Sequence, residues 1–305
     1  MTLKWVLSVL FVLSSFCCRA NVWSDAKMPS PAPLSVHQSD ASSVEHSYAI
    51  GSYANGCLAG AAALPLAGEG YQVIRSSRNR FYGHPDLIAF IQGFSKQIHT
   101  FSYHNQQSSG YQDLLIADIS MPRGGTFTSG HASHQIGLDV DIWFRRAAQM
   151  QTLARRESPE ELDVVNQGAF KLNDNWQEAH AEMIRLAALD PKVARIFVNP
   201  VIKQELCRRS LQVSLSGSTK SKEYSWLNKV RPWWGHSFHM HVRLHCPLGD
   251  SLCRNQQAPR PGSGCEDIGW WKRQLSGVKQ PTDKTKKPEA KHVRVKPEQC
   301  AQLLK

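Results

Sequence analysis

Two short segments constrain this chain most, Leu138-Asp-Val-Asp-Ile-Trp-Phe144 and Phe238-His-Met-His-Val-Arg-Leu244, because each alternates residue by residue. Successive side chains of a strand point to opposite faces, so Leu138, Val140, Ile142 and Phe144 share one face and Asp139, Asp141 and Trp143 the other. In the second segment Phe238, Met240, Val242 and Leu244 form the apolar row, and His239, His241 and Arg243 stand opposite. Both are predicted strands with one core face and one face of ionisable groups. His131 and His134 precede the first strand and His236 the second, which crowds five histidines and two aspartates into two stretches.

Imidazole nitrogen and carboxylate oxygen from separate strands suit zinc, whose catalytic sites take three protein ligands and leave a position for water. Water at such a site is acidic enough to react near neutral pH. With 13 histidines in the chain, a solitary one would read as a core or surface residue; this density reads as a metal site. No Glu lies in either stretch, so a histidine must serve if a base is needed. His239 and His241 project from one face roughly 7 Å apart. One can bind metal while the other handles a proton, as imidazole titrates near neutral pH. Strand geometry alone leaves open which does which.

At 305 residues the chain can bury a full core. Residues 1–20 are expected to be a secretory signal: Lys4, the apolar run Trp5 to Phe16, then Cys-Arg-Ala20. Phe16 is too bulky for the position before a lipidated cysteine, which ranks a lipoprotein signal below cleavage. No later run is long enough to cross a bilayer. Behind the signal, Cys57, Cys207, Cys246, Cys253, Cys265 and Cys300 read as three disulfides, of which spacing favours only Cys246–Cys253. Residues 21–275 are expected to form one domain, and 276–305 a basic Pro- and Lys-rich tail pinned by Cys300. The formal net charge is +11, to which Lys4 and Arg19 of the leader contribute. Such a protein suits an anionic polymer, either cell-wall glycan with peptide carboxylates or nucleic acid. The absence of an aromatic-rich basic stripe or helix-turn-helix pattern argues against nucleic acid as partner.

The remaining elements read as follows. The lead from Asn21 to His46 has no apolar period and is expected along the surface, and Tyr71 to Arg75 reads as a strand. Pro85 opens a helix in which Leu87, Phe90, Ile91, Phe94 and Ile98 recur at helical spacing. Asp113 to Ile119 is a strand, and Arg145 to Asn175 an insert whose charged first half is an exposed helix and loop. A helix over Trp176–Leu189 carries Trp176, His180, Met183 and Ala187 on one stripe, making His180 a core or rim residue. A strand over Val193–Val198 and a helix over Ile202–Leu211 follow. Without βαβ regularity the pattern is α+β: a mainly antiparallel sheet carrying a zinc site, flanked by helices and stapled by disulfides.

The spacing of His134, Gly137, Asp141 and His239-Met-His241 resembles the zinc peptidases that include D-Ala-D-Ala dipeptidases and the hedgehog domain. Gly130-His-Ala-Ser-His-Gln135 with Leu-Asp-Val-Asp141, Ile196-Phe-Val-Asn-Pro200, Arg231-Pro-Trp233 and His239-Met-His-Val-Arg-Leu244 resemble the penicillin-insensitive murein endopeptidases, from about Tyr71 to Cys265. The resemblance implies hydrolysis of D-alanyl-diaminopimelate crosslinks of peptidoglycan in the periplasm. It implies zinc held by His134, Asp141 and His241, with His131 a further ligand or a hydrogen-bond donor, His239 the base and His236 in support. It implies the bridges Cys57–Cys300, Cys207–Cys265 and Cys246–Cys253. A second metal described for some members matches Gln167 and Phe170 here, which are poor ligands, so one metal is expected. Carboxypeptidase action on stem peptides (D,D- or L,D-) and a non-catalytic wall-binding module are the alternatives.

Overall fold

The computed structural model describes residues 22–31, 47–104, 112–215, 220–275 and 295–304. The expected signal, 1–20, and the stretch 276–294 of the expected tail lie outside the described residues.

A seven-stranded sheet organises the chain, in the order Val230–Pro232, Val193–Val198, His239–Leu244, Asp139–Ala147, Asp113–Ile116, Tyr71–Val73 and Ala67–Gly68. The two alternating segments are central antiparallel neighbours, with Trp143 opposite His239, Asp141 opposite His241 and Asp139 opposite Arg243. Val193–Val198 pairs antiparallel on the other side of the histidine strand. The sheet is mixed rather than uniform, because Val230–Pro232 and Tyr71–Val73 each join it in parallel. Helices with mainly antiparallel pairing make the fold α+β, as the sequence predicts.

Alternation dictates what each face does. Val140, Ile142, Phe144, Met240, Val242 and Leu244 enter one core cluster with Leu87, Ile91, Phe94 and Ile98 of the helix Pro85–His104 and with Met183, Ile184 and Ala187 of Glu178–Leu189. Each such side chain contributes roughly 1.5–3 kcal/mol by leaving water. On the opposite face Trp143 packs with Ile74, Leu115, Ala117 and Ala147. The ionisable face is buried too: Asp139, Asp141, His239, His241 and Arg243 are all inaccessible or nearly so.

Several predicted bounds shift. The Asp113 strand ends at Ile116, and the helix expected over Ile202–Leu211 runs from Pro200 to Leu215, Pro200 taking the first turn. The insert holds a short exposed-sided helix, Leu153–Glu157, but its second half turns inward, with Val164, Val165 and Phe170 buried. Of the lead, 32–46 lie outside the described residues; within 22–31, Trp23 is buried, its ring filling the space that a side chain at Gly125 would need, so that part is not merely superficial. A lone large aromatic gives no periodicity, which is why pattern reading missed it.

The disulfides are Cys57–Cys300, Cys207–Cys265 and Cys246–Cys253, the set the resemblance implies. The first closes 243 residues and ties the terminal helix Glu298–Gln302 to the hairpin strand Asn55–Ala59. Closing so long a loop removes unfolded-state entropy worth up to about 5 kcal/mol.

His180 is buried on the sheet's main-core side, where Nε2 meets the Phe144 carbonyl at 3.1 Å and Nδ1 accepts the Gln177 N–H at 3.1 Å. Nε2 donates in its bond and Nδ1 accepts in the other, which requires the neutral ring, and burial pushes its pKa down to about 4. The unfolded chain binds this proton near pH 6.5 and the folded chain does not, so stability falls as pH drops from 6.5 towards 4. Urea titrations should show His180→Gln losing a pH-dependent contribution on the order of 3 kcal/mol across that window. An unchanged slope in the variant would contradict this role.

Candidate metal centre

The loop before the first central strand is held in strained backbone. His134 has φ of 69° and Gly137 of 68°. At Gly137 a side chain is impossible, since its Cβ would lie 2.4 Å from Leu58 Cδ2 and 2.9 Å from His84 N. A non-glycine residue in this region costs roughly 1–3 kcal/mol and persists where its surroundings over-determine it. They do so at His134: its N–H donates to Asp139 Oδ2 at 2.9 Å and its Nδ1 to the Ile119 carbonyl at 2.8 Å. Phe127 stacks on the ring at 5.6 Å, backed by the Arg80 guanidinium 4.0 Å from the phenyl centroid. His134 Nε2 is left buried without a hydrogen-bond partner.

That nitrogen faces a cluster. Single donor atoms of His131, His134, Asp141 and His241 all lie within 4.8 Å of one another. Asp141 Oδ1 lies 3.1 Å from His241 Nδ1 and 3.5 Å from His134 Nε2, while Oδ2 lies 3.2 Å from His131 Nε2. His241 Nε2 donates to Asp139 Oδ1 at 3.0 Å, and Arg243 binds both oxygens of Asp139, at 2.7 and 3.3 Å. A carboxylate behind an imidazole in this way fixes the tautomer and leaves Nδ1 free as a donor to metal. The Arg243 guanidinium is spent on that task, held between the rings of Tyr53 and Phe197 at 4.2 and 5.1 Å.

The electrostatics ask for a cation. Burial opposes ionisation of Asp141, yet His134, His239 and His131 hold it well below the usual carboxylate range. Burial likewise opposes protonation of His134, but Asp141 and Asp139 raise it to about 9. Asp139 has a permanent partner in Arg243; Asp141 has only histidines within ion-pair distance. A fully buried carboxylate without a permanent counter-charge, with Oδ1 unbonded and an orphaned imidazole nitrogen beside it, fits a divalent metal of the zinc type.

His239 Nε2 stands 3.9 Å from Asp141 Oδ1, and neither ring nitrogen has a protein partner. Burial pushes its pKa down to about 3, against the pull of Asp141. His236, at φ 57°, bonds through Nδ1 to the Trp234 carbonyl at 2.6 Å, with its ring 4.8 Å from that of His239. All six residues singled out in the sequence therefore meet at one place. His131, a quarter exposed, stands at the mouth, and the buried residues form the floor.

His131, His236, His239 and His241 line a cleft of about 790 Å³ walled by Trp233, Trp234, Trp270 and Trp271, with His134 and Asp141 buried beside them. Sequence reasoning did not place Trp270 and Trp271, which arrive from the helix Ile268–Leu275, nor Tyr53 and Phe127. The segment compared with a second metal site is occupied otherwise. Gln167 Oε1 accepts from Asn199 Nδ2 at 3.1 Å, and Phe170 is buried in the core.

Two sheet strands and the loop before the first bring three histidines and an aspartate together beside an aromatic cleft, a group that could hold a metal ion. A family profile described as penicillin-insensitive murein endopeptidase matches residues 49–305. The chain is 42% identical to the penicillin-insensitive murein endopeptidase of Haemophilus influenzae over 258 residues, 84% of this chain and 82% of that protein. It is 44% identical to the Klebsiella pneumoniae protein of the same name over 78% of this chain and 82% of the relative. With the Escherichia coli O157:H7 protein, also so named, identity is 40% over 93% of this chain and 94% of the relative. The chain belongs to the penicillin-insensitive murein endopeptidase family, and is a peptidase.

Replacing Asp139 with Asn keeps its shape but removes the charge that orients His241. Competition with a chromophoric chelator should show zinc affinity reduced by about 10- to 100-fold. Unchanged affinity would mean that Asp139 serves only Arg243.

Proposed function

We propose that this protein is a zinc-dependent murein endopeptidase that cleaves D-alanyl-diaminopimelate crosslinks of peptidoglycan in the periplasm. In this reading residues 1–20 direct export, 21–275 form the catalytic domain, and 276–305 are a tail secured through Cys300. The observation that carries it is the convergence of His134 Nε2, His241 Nδ1 and Asp141 Oδ1 beside the unpartnered ring of His239. The names of the relatives support the substrate class.

His134, Asp141 and His241 would hold the zinc, and His131 lies against the second oxygen of Asp141. Zinc bound there supplies Lewis-acid chemistry, acidifying water and polarising a peptide carbonyl. His239 supplies the base. Neither of its ring nitrogens has a protein partner, so one is available to take the proton that attacking water loses. Asp141, 3.9 Å away, stabilises the imidazolium until the proton passes to the departing amine. His236 packs against that ring, fixed by Trp234, and Asn199 holds the turn by donating to the Gly235 carbonyl at 3.0 Å. The tryptophan walls exclude water from one side and offer apolar surface to the substrate.

Cleavage of crosslinked muropeptides should be abolished by a chelator, restored by zinc and indifferent to penicillin, since no serine nucleophile takes part. Full activity in metal-free protein would sink the mechanism. Metal analysis after dialysis should return one equivalent per chain.

The roles of the paired histidines separate in mutants. His239→Ala should keep zinc and lower turnover by about 10²–10⁴-fold, the range for loss of a general base. His241→Ala should lose zinc and activity together. Zinc lost from the first variant and kept by the second would reverse the assignment.

A further inference from the structure

The face of the sheet that carries Asp141 also holds a cation, Arg195, without a counter-charge among the described residues. Register sets Arg195 directly opposite Arg243, and Phe197 opposite both His241 and Arg231. Residues two apart on a strand share a face, so Arg195, Phe197, Arg231, His241 and Arg243 all stand on the Asp141 side. Like charges directly opposite each other destabilise a sheet. Arg243 is neutralised by Asp139 at 2.7 Å and Arg231 by Asp267 at 2.9 Å. Arg195 has no carboxylate partner among the described residues; its Nη2 donates to the backbone carbonyl of Gln257. All three arginines line the cleft. Burial lowers the pKa of Arg195, and Arg243 and Arg231 beside it add to the fall.

The crosslink supplies an anion of matching placement. An amide made from the side-chain amine of diaminopimelate has its nitrogen on a carbon that keeps a free carboxylate, which an internal bond of an ordinary protein lacks. Arg195 lies one strand and two residues from His241, Cα offsets of roughly 5 and 7 Å, within reach of a long side chain.

We propose that Arg195, with Arg231 at its side, takes this free carboxylate on the leaving side of the scissile bond and so sets the cleft's preference for crosslinks over ordinary peptides. The inference rests on the endopeptidase reading and adds a residue to it. A planar guanidinium binds carboxylate bidentately, and left unpaired against a substrate without one it penalises that substrate.

The test compares two synthetic crosslinked muropeptides, identical except that this carboxylate is free in one and amidated in the other, with the zinc-loaded full chain. The parent should favour the free acid in kcat/KM by about 10- to 100-fold, the scale of one charged hydrogen-bonded pair. Arg195→Gln, matched to the parent in zinc content and Tm, should lose that factor on the acid and stay within about two-fold on the amide, and Arg195→Lys should recover part of it. A parent indifferent to amidation would overturn the proposal, as would equal losses on both substrates in Arg195→Gln. If that variant fails to fold, the parent's own ratio of acid to amide decides. Cleavage of neither substrate by the parent would instead bring down the endopeptidase reading, and this proposal with it.

Discussion

Everything in the site depends on the register between Asp139–Ala147 and His239–Leu244. With Asp141 opposite His241 and Asp139 opposite Arg243, each carboxylate meets the group it needs across the strand gap. A slip of one residue would turn Met240 and Val242 onto the polar face and the histidines into the core. The apolar row is thus what enforces the ionisable row: burying Val140, Ile142, Met240 and Val242 on one face leaves the other no freedom. The Gly137 turn, where no side chain fits, sets the phase in which the first strand starts.

Burial of so many charges carries a cost that the fold offsets locally. Removing one partner of a buried ion pair typically costs 3–5 kcal/mol, because the other is left uncompensated. Asp139 escapes this with Arg243, His241 and the His134 N–H all bound to it. Asp141 does not, and neither do His134 Nε2 or the His239 ring nitrogens. These unsatisfied atoms adjoin the donor cluster, where bound metal and attacking water would satisfy them; other buried unpaired atoms, such as Ser95 Oγ and Trp226 Nε1, lie elsewhere. Strained φ at His134 and His236 falls in the same few residues. Stability has been given up where chemistry is proposed, while the core beneath is conventional.

How legible this was in the sequence varies with the signal. Period-two alternation located both central strands, and helical spacing located Pro85–His104, because each pattern reflects a face the chain must bury. The six candidate residues were legible as a cluster for the same reason, lying on or beside those strands. Pairing order was not, since nothing local tells Val230–Pro232 and Tyr71–Val73 to join in parallel. Tyr53, Phe127, Trp270 and Trp271 reach the site through tertiary packing alone, and single aromatics in loops or short helices give no period to read. The lack of an acid beside Arg195 was likewise invisible until register placed it opposite Arg243.

The central claim is that zinc is held by side chains of these two strands and the loop before them. Zinc K-edge absorption spectroscopy on the zinc-loaded protein tests it most directly. The account predicts a shell of nitrogen and oxygen only, at about 2.0–2.1 Å, with outer-shell scattering from two or three imidazoles. His134→Ala should remove part of that imidazole signal. A sulfur shell near about 2.3 Å, or the spectrum of hydrated zinc without imidazole, would contradict it.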